Sequence, residues 1–184
     1  MRRWSETGQQ EDIEEMIEVY DNLVPLHIQQ KIYYMIINST FVLGWNDRSD
    51  ISTDRINIHS AWSLDDLKRS GLDEYVKNIQ SFDKYKRTVV NLTKPCDYHY
   101  KHTHHESTII LYYVNLVWRE GWDGETIIDG KVYEYTPGRL IKMDGAQVHS
   151  IKPQSIIGPN FRFTIAMFFD DGTIPSIDTT YPYL

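Results

Sequence analysis

The chain has 184 residues, 41% of them hydrophobic and 24% charged, and its 19 basic and 26 acidic side chains leave a formal net charge of −7. That length predicts one domain with a sizeable core, and the composition excludes disordered, collagen-like and low-complexity structure. The acidic balance argues against bulk electrostatic attachment to nucleic acid or to an anionic membrane.

Cys96 is the one cysteine, which excludes an intrachain disulfide and a cysteine-rich zinc module. With no helix start or basic neighbour obviously activating it, it reads as an inert thiol. The opening Met1-Arg2-Arg3-Trp4-Ser5-Glu6 leads into polar acidic sequence instead of an apolar signal core. No run approaches the length of a membrane span, so the expected location is the cytoplasm.

Along the chain, the pattern changes near residue 85. Ile13, Met16, Ile17 and Tyr20 recur at helical spacing, with Glu11, Glu14, Glu15 and Glu18 on the other faces, and predict an amphipathic first helix with a solvated acidic side. Pro25 fits the first turn of a second helix carrying the stripe Ile28, Ile32, Met35 and Ile36. The segment from Trp45 through Trp62 reads either as a lid on the substrate side or as plain packing. Ser63-Leu64-Asp65-Asp66 has the form of a capping box and opens a short helix ending near Gly71, followed by another around Glu74 to Ile79.

After Tyr85 the signals are strand-like. Thr88 to Leu92 is followed by Ser107 to Val117, the strongest strand of the chain, then Thr126 to Ile128, Lys131 to Tyr135, Arg139 to Met143, Gln147 to Ile151 and Phe161 to Phe169. Asp123-Gly124, Asp129-Gly130, Pro137-Gly138, Asp144-Gly145 and Gly158-Pro159 supply the turns between them. Short strands at this spacing read as a sandwich or barrel. The predicted order is a helical support over 1–84 and a β core over 85–184, packed as one domain.

Two residue types stand out chemically. His99, His102, His104 and His105 crowd one short segment with Glu106 directly after, and His149 stands alone downstream. On an extended segment, residues two apart point the same way, so either His102 with His104 or His104 with Glu106 can reach one metal ion. A third ligand from a distant strand would complete a facial set. The alternative is a group of exposed imidazoles on a polar loop, with His149 merely hydrogen-bonded near a strand end.

Arg162 opens an otherwise apolar strand and shares a face with Thr164. A guanidinium there is costly unless it meets an anion or snorkels to water. Tyr112 and Tyr113 lie on opposite faces of the long strand. One of them can present a hydroxyl to an anionic ligand, or both can be core residues.

From about Thr88 to Phe169 the chain resembles the iron(II)- and 2-oxoglutarate-dependent oxygenases, in their prolyl-4-hydroxylase-like branch. The resemblance rests on Pro95-Cys96-Asp97 (with Cys where the branch has Gly), the histidine segment, Tyr112-Tyr113-Val114-Asn115 and Trp118. It continues through Trp122-Asp123-Gly124-Glu125-Thr126, Pro137-Gly138-Arg139-Leu140, Asp144-Gly145 leading to His149, and Arg162-Phe163-Thr164, all in order. It implies a double-stranded β-helix, the jelly-roll barrel, with supporting N-terminal helices and the metal at the open end.

The resemblance further implies Fe(II) held by a His-x-Asp/Glu pair and a distal His. It also implies 2-oxoglutarate as cosubstrate, O2 as oxidant, and ascorbate as a candidate addition. Carried over, His149 is the distal ligand, Arg162 anchors the remote carboxylate of 2-oxoglutarate, Thr164 assists, and Tyr113 reaches the same carboxylate. The proximal pair stays open. Spacing from Pro95-Cys96-Asp97 favours His102-x-His104, whereas chemistry favours His104-x-Glu106, because a carboxylate offsets the iron's charge. The implied reaction is hydroxylation of a substrate, with a prolyl residue of a peptide or protein as the candidate, coupled to decarboxylation of 2-oxoglutarate to succinate and carbon dioxide. A cupin-type metalloenzyme without 2-oxoglutarate and a non-catalytic jelly-roll binding module are the rival readings.

Overall fold

The computed structural model describes residues 17–45 and 57–170. Ten strands and three α-helices follow in the order β1 (Glu18–Tyr20), α1 (Leu26–Ile37), β2 (Val42–Trp45), β3 (Asn57–Trp62), α2 (Leu64–Ser70), α3 (Asp73–Val76), β4 (Tyr85–Thr93), β5 (Thr108–Tyr113), β6 (Thr126–Ile128), β7 (Lys131–Tyr133), β8 (Leu140–Asp144), β9 (His149–Ile151) and β10 (Arg162–Phe169). The strands form a seven-stranded sheet, ordered β1-β8-β5-β10-β4-β3-β2, and a three-stranded sheet, ordered β7-β6-β9. The paired strands run antiparallel. This is a jelly roll with supporting helices, and its two sheets do not close into a continuous barrel.

The second helix forms as its stripe predicts: Ile32 and Ile36 are fully buried. Pro25 occupies the N-cap, one residue earlier than the first turn. The capping box of α2 is present in both directions, Ser63 Oγ accepting from Asp66 N at 3.1 Å and Asp66 Oδ2 accepting from Ser63 N at 2.8 Å. Among the described residues no helix is long and apolar enough to cross a membrane.

The predicted first helix is not seen where it can be followed. Its residues 13–16 lie outside the described residues, and Glu18–Tyr20 is the edge strand β1, paired with β8. The physical reason is cross-strand: Glu18 sits directly opposite Lys142, with Lys142 Nζ 3.0 Å from Glu18 Oε1, and the strand covers backbone groups that β8 would leave open. Of the segment read as a lid or packing, residues 46–56 lie outside the described residues, and its two ends are strands β2 and β3, which extend the large sheet.

At the centre lies β10, with all eight residues buried. Its odd-numbered residues Phe163, Ile165, Met167 and Phe169 join Ile32, Ile36 and the other helical residues in one core. The even-numbered side faces the small sheet, where Ala166 and Phe168 pack with Tyr113, Ile128 and Tyr135. The strongest predicted strand stops early, β5 ending at Tyr113. Beyond it Asn115 turns inward, its Nδ2 donating to Phe161 O (2.9 Å) and its Oδ1 accepting from Phe163 N (2.8 Å), so one side chain brackets the backbone of Arg162.

Candidate metal centre and the pocket behind it

The even-numbered residues of β10 and Arg87, Val89 and Asn91 of β4 floor a pocket between the sheets, and β9 with the segment before β5 roofs it. His102, His104 and His149 come together at this pocket, each offering a ring nitrogen, with the three atoms all within 4.8 Å of one another. Ring centroids are 4.4 Å apart for His102 and His149, 4.9 Å for His102 and His104, and 5.0 Å for His104 and His149.

The backbone holds this geometry. His102 and His149 exchange N–H···O bonds of 3.0 and 2.9 Å, and His104 N donates to Gly145 O at 2.7 Å. Gly145 is required there, because a Cβ on it would stand 1.7 Å from Glu106 O. Two rings are also fixed in rotation and tautomer. His102 Nδ1 lies 2.9 Å from Tyr100 O and His149 Nδ1 lies 2.9 Å from Gln147 O. A carbonyl only accepts, so both Nδ1 atoms carry the proton and both Nε2 atoms keep a lone pair for a metal. His104 instead packs edge-on against Phe168, with centroids 5.0 Å apart. Burial first, then the neighbouring His149, His102 and Arg87, hold its imidazole well below the ordinary value, at about 2, so it is neutral as a ligand must be.

Glu106, the rival partner of His104, is placed elsewhere. Its Oε1 accepts from Arg87 Nε at 2.9 Å, and it is not among the groups that converge with the triad. The guanidinium of Arg87 lies 3.8 Å from the centroid of Phe168 and lines the pocket. His99 lines the pocket as well.

The inner end of the pocket is built around Arg162, 1% exposed. Its Nε donates to Gly124 O at 2.8 Å and its Nη2 to Thr126 Oγ1 at 3.4 Å. Its Cζ lies 4.9 Å from the ring centroid of Tyr135 and 5.6 Å from that of Tyr113. These two rings stack 4.4 Å apart and nearly parallel, and Trp118 continues the stack at 4.2 Å. Burial pushes the guanidinium below its ordinary value, opposed by Tyr135, Tyr113 and Glu125. Among the described residues no carboxylate forms an ion pair with it.

Nη1 of Arg162 is buried without a hydrogen-bond partner, and so is Oγ1 of Thr93, the residue directly opposite it on β4. A buried guanidinium left so is expensive, by several kcal/mol in general, unless an anion meets it. A carboxylate would satisfy Nη1, so the distal carboxylate of 2-oxoglutarate fits this end. Thr164 lines the pocket beside Arg162, as strand alternation predicts. Tyr113 is fully buried and its hydroxyl donates to Thr126 Oγ1 at 2.6 Å, so it meets the pocket through Thr126. Thr126 thereby accepts two bonds, and its own proton is left to be given to a ligand.

The sequence alone does not mark Arg87 and Thr126 as site residues. Alternation along β4 carried the missing signal, since Arg87, Val89 and Asn91 share the face that turns out to floor the pocket.

No protein-family model and no curated protein sequence matches the chain. Solved structures do. A prolyl hydroxylase from Trichoplax adhaerens, in complex with a hypoxia inducible factor oxygen degradation domain peptide fragment, is 13% identical with a TM-score of 0.65, covering 86% of this chain and 84% of that one. A Pseudomonas putida prolyl-4-hydroxylase is 13% identical with a TM-score of 0.63, covering 85% and 94%. The chain has the fold of the 2-oxoglutarate- and iron(II)-dependent oxygenases. An oxygenase of that family from Burkholderia pseudomallei, 11% identical with a TM-score of 0.63 over 84% of each chain, shows the same oxygenase fold. Within that fold, three imidazoles stand where the resemblance implies two imidazoles and a carboxylate.

Proposed function

We propose that the chain is an Fe(II)- and 2-oxoglutarate-dependent oxygenase that hydroxylates a substrate C–H bond, with a prolyl residue as the candidate suggested by the similar structures. In this reading His102, His104 and His149 hold the metal. Arg162 binds the remote carboxylate of 2-oxoglutarate, with Thr164, Thr126 and Thr93 around it, and Tyr113 acts through Thr126. Imidazole nitrogen suits iron among other divalent metals, so the donor set accepts Fe(II) without selecting it. When bound, the iron and cosubstrate supply the oxidising power, 2-oxoglutarate being decarboxylated to succinate as O2 is reduced. The protein's part is to orient the ligands, to hold the cosubstrate at a buried guanidinium, and to keep the pocket apolar along Val89, Leu111 and Ala166. The cytoplasm suits such an enzyme, with ascorbate a candidate addition to the assay.

The observation that carries this reading is the orphaned Nη1 of Arg162 at the inner end of the same pocket that holds the triad. The test is anaerobic visible absorption of the metal-free protein titrated with Fe(II) and then 2-oxoglutarate. A cosubstrate-dependent charge-transfer band, absent in His149→Ala and weakened in Arg162→Ala, is the expected result. The lack of any carboxylate in the triad favours one rival, a cupin-type metalloenzyme that does not use 2-oxoglutarate. Metal binding without the band would select that rival. No metal binding at all would leave a jelly-roll binding module.

A further inference from the structure

Among the described residues the pocket is lined by two arginines and four histidines and by no aspartate or glutamate, in a chain whose net charge is −7. The two arginines sit at opposite ends. Arg162 and Phe168 are six residues apart on β10, about 20 Å of strand, and Arg87 is the cross-strand partner of Phe168. The triad lies between them: His104 and Arg87 both contact the Phe168 ring, and His149 pairs with Ile128, two residues along β6 from the Thr126 that the Arg162 guanidinium reaches.

Charge counting at this site gives a remainder. Two imidazoles and a carboxylate would leave a divalent ion with one net positive charge, and the remote-carboxylate anchor adds a second, which the two carboxylates of 2-oxoglutarate balance. Three imidazoles leave the ion's charge at two. With Arg162 the sum over the described residues is three, so the cosubstrate leaves one positive charge in a pocket whose lining is mostly apolar. Glu106 balances Arg87 from outside the pocket lining and does nothing for that remainder. In a low-dielectric site an uncompensated charge strongly favours an anionic partner.

Resting on the proposed oxygenase reading, we propose that the second reactant is a carboxylic acid whose carboxylate docks at Arg87, beside the metal, and supplies the negative charge the protein ligands lack. The pairing of Arg87 with Glu106 and its stacking on Phe168 hold the guanidinium in one plane for that contact. Substrate discrimination at this site is a discrimination of charge: an acid is accepted, and its isosteric amide, which adds no negative charge, is not.

The test uses the full chain loaded with Zn(II), which does not turn over, and saturated with 2-oxoglutarate. Matched pairs are titrated by saturation-transfer NMR and thermal shift: N-acetyl-L-proline against its primary amide, and 3-phenylpropionate against 3-phenylpropionamide. The expected result is a preference for acid over amide of about tenfold or more, the size of one charged contact. Arg87→Gln is expected to reduce that preference to about threefold or less, and Arg87→Lys to retain most of it. Glu106→Gln, which removes the balancing carboxylate, is expected to increase it. Amides binding as well as acids, no member of either pair binding, or a preference untouched by Arg87→Gln would each overturn the inference. Failure of the wild type to bind metal or 2-oxoglutarate would instead defeat the oxygenase reading beneath it.

Discussion

His102 and His149 are joined twice over. Their backbones exchange hydrogen bonds of 3.0 and 2.9 Å, and their rings lie 4.4 Å apart with both Nδ1 atoms turned to carbonyl oxygens. Two segments far apart in sequence thus meet at one point, and the proposed ligand register, His102 with His104 and His149, rests on that contact.

Replacement of either member should therefore remove metal binding. His102→Ala and His149→Ala are expected to lower affinity for Co(II) by about 100-fold or more, beyond what loss of a supporting hydrogen bond does. Glu106→Ala should change it by only about threefold. Competition against a chelating dye, read optically, checks both. Collapse of binding in Glu106→Ala with little effect in His102→Ala would return the register to His104-x-Glu106.

The metal-free protein should lose stability in mild acid through His104. Its folded imidazole titrates at about 2, whereas an unfolded one titrates near 6.5. Below pH ~6.5 the unfolded chain therefore binds a proton that the folded chain refuses, so stability is fully present above that pH and falls as pH drops toward the folded value. The slope contributed is at most about 1.4 kcal/mol per pH unit. Denaturant midpoints between pH 7 and 5 should fall less steeply for His104→Gln than for the wild type.

Gly145 fixes the 104–106 segment from the other side, its carbonyl accepting from His104 N. An added Cβ would lie 1.7 Å from the carbonyl of Glu106, a backbone atom that a side-chain rotation cannot move away. Gly145→Ala is expected to displace the 104–106 segment, to cost roughly 2 kcal/mol or more of stability, and to weaken Co(II) binding. The Arg162 end of the pocket, built from other elements, should be affected only through the metal.

The complementary variant is Gly124→Ala. Gly124 has φ +85°, and a Cβ would meet Trp118 at 3.0 Å and Arg162 Cδ at 3.2 Å, while its carbonyl holds Arg162 Nε. Left-handed geometry alone costs an alanine about 1–2 kcal/mol. Calorimetry should show weaker 2-oxoglutarate binding to the Zn(II)-loaded variant with Zn(II) affinity retained.

Much of this architecture is legible in the sequence. The strands of the β half, α1 and the α2 capping box rest on local periodicity and turn chemistry, and the structure keeps them with shifted ends. What local pattern does not carry is pairing. Glu18 looks like the solvated face of a helix until Lys142 stands opposite it, and strands β2 and β3 gain their stability from β4 and from each other. The site divides in the same way. Arg162 was conspicuous as a lone charge in an apolar run. Strand alternation leaves His102 and Glu106 equal, because His104 shares a side with both in an extended chain, while spacing from Pro95-Cys96-Asp97 favours His102 and the chemistry of iron favours Glu106. What separates them spatially is the His149 contact on one side and Arg87 on the other, neither of which is local.

The division of labour along β10 has a bearing on how such a protein can change. Residues 162, 164, 166 and 168 face the pocket while 163, 165, 167 and 169 face the helices, and the two sets are interleaved yet share no packing surface. Exchanges at Ala166 or Phe168 can reshape what the pocket admits without disturbing the contacts that keep the helices in place. One strand thereby uncouples innovation from foldedness, provided its register never slips by a single residue.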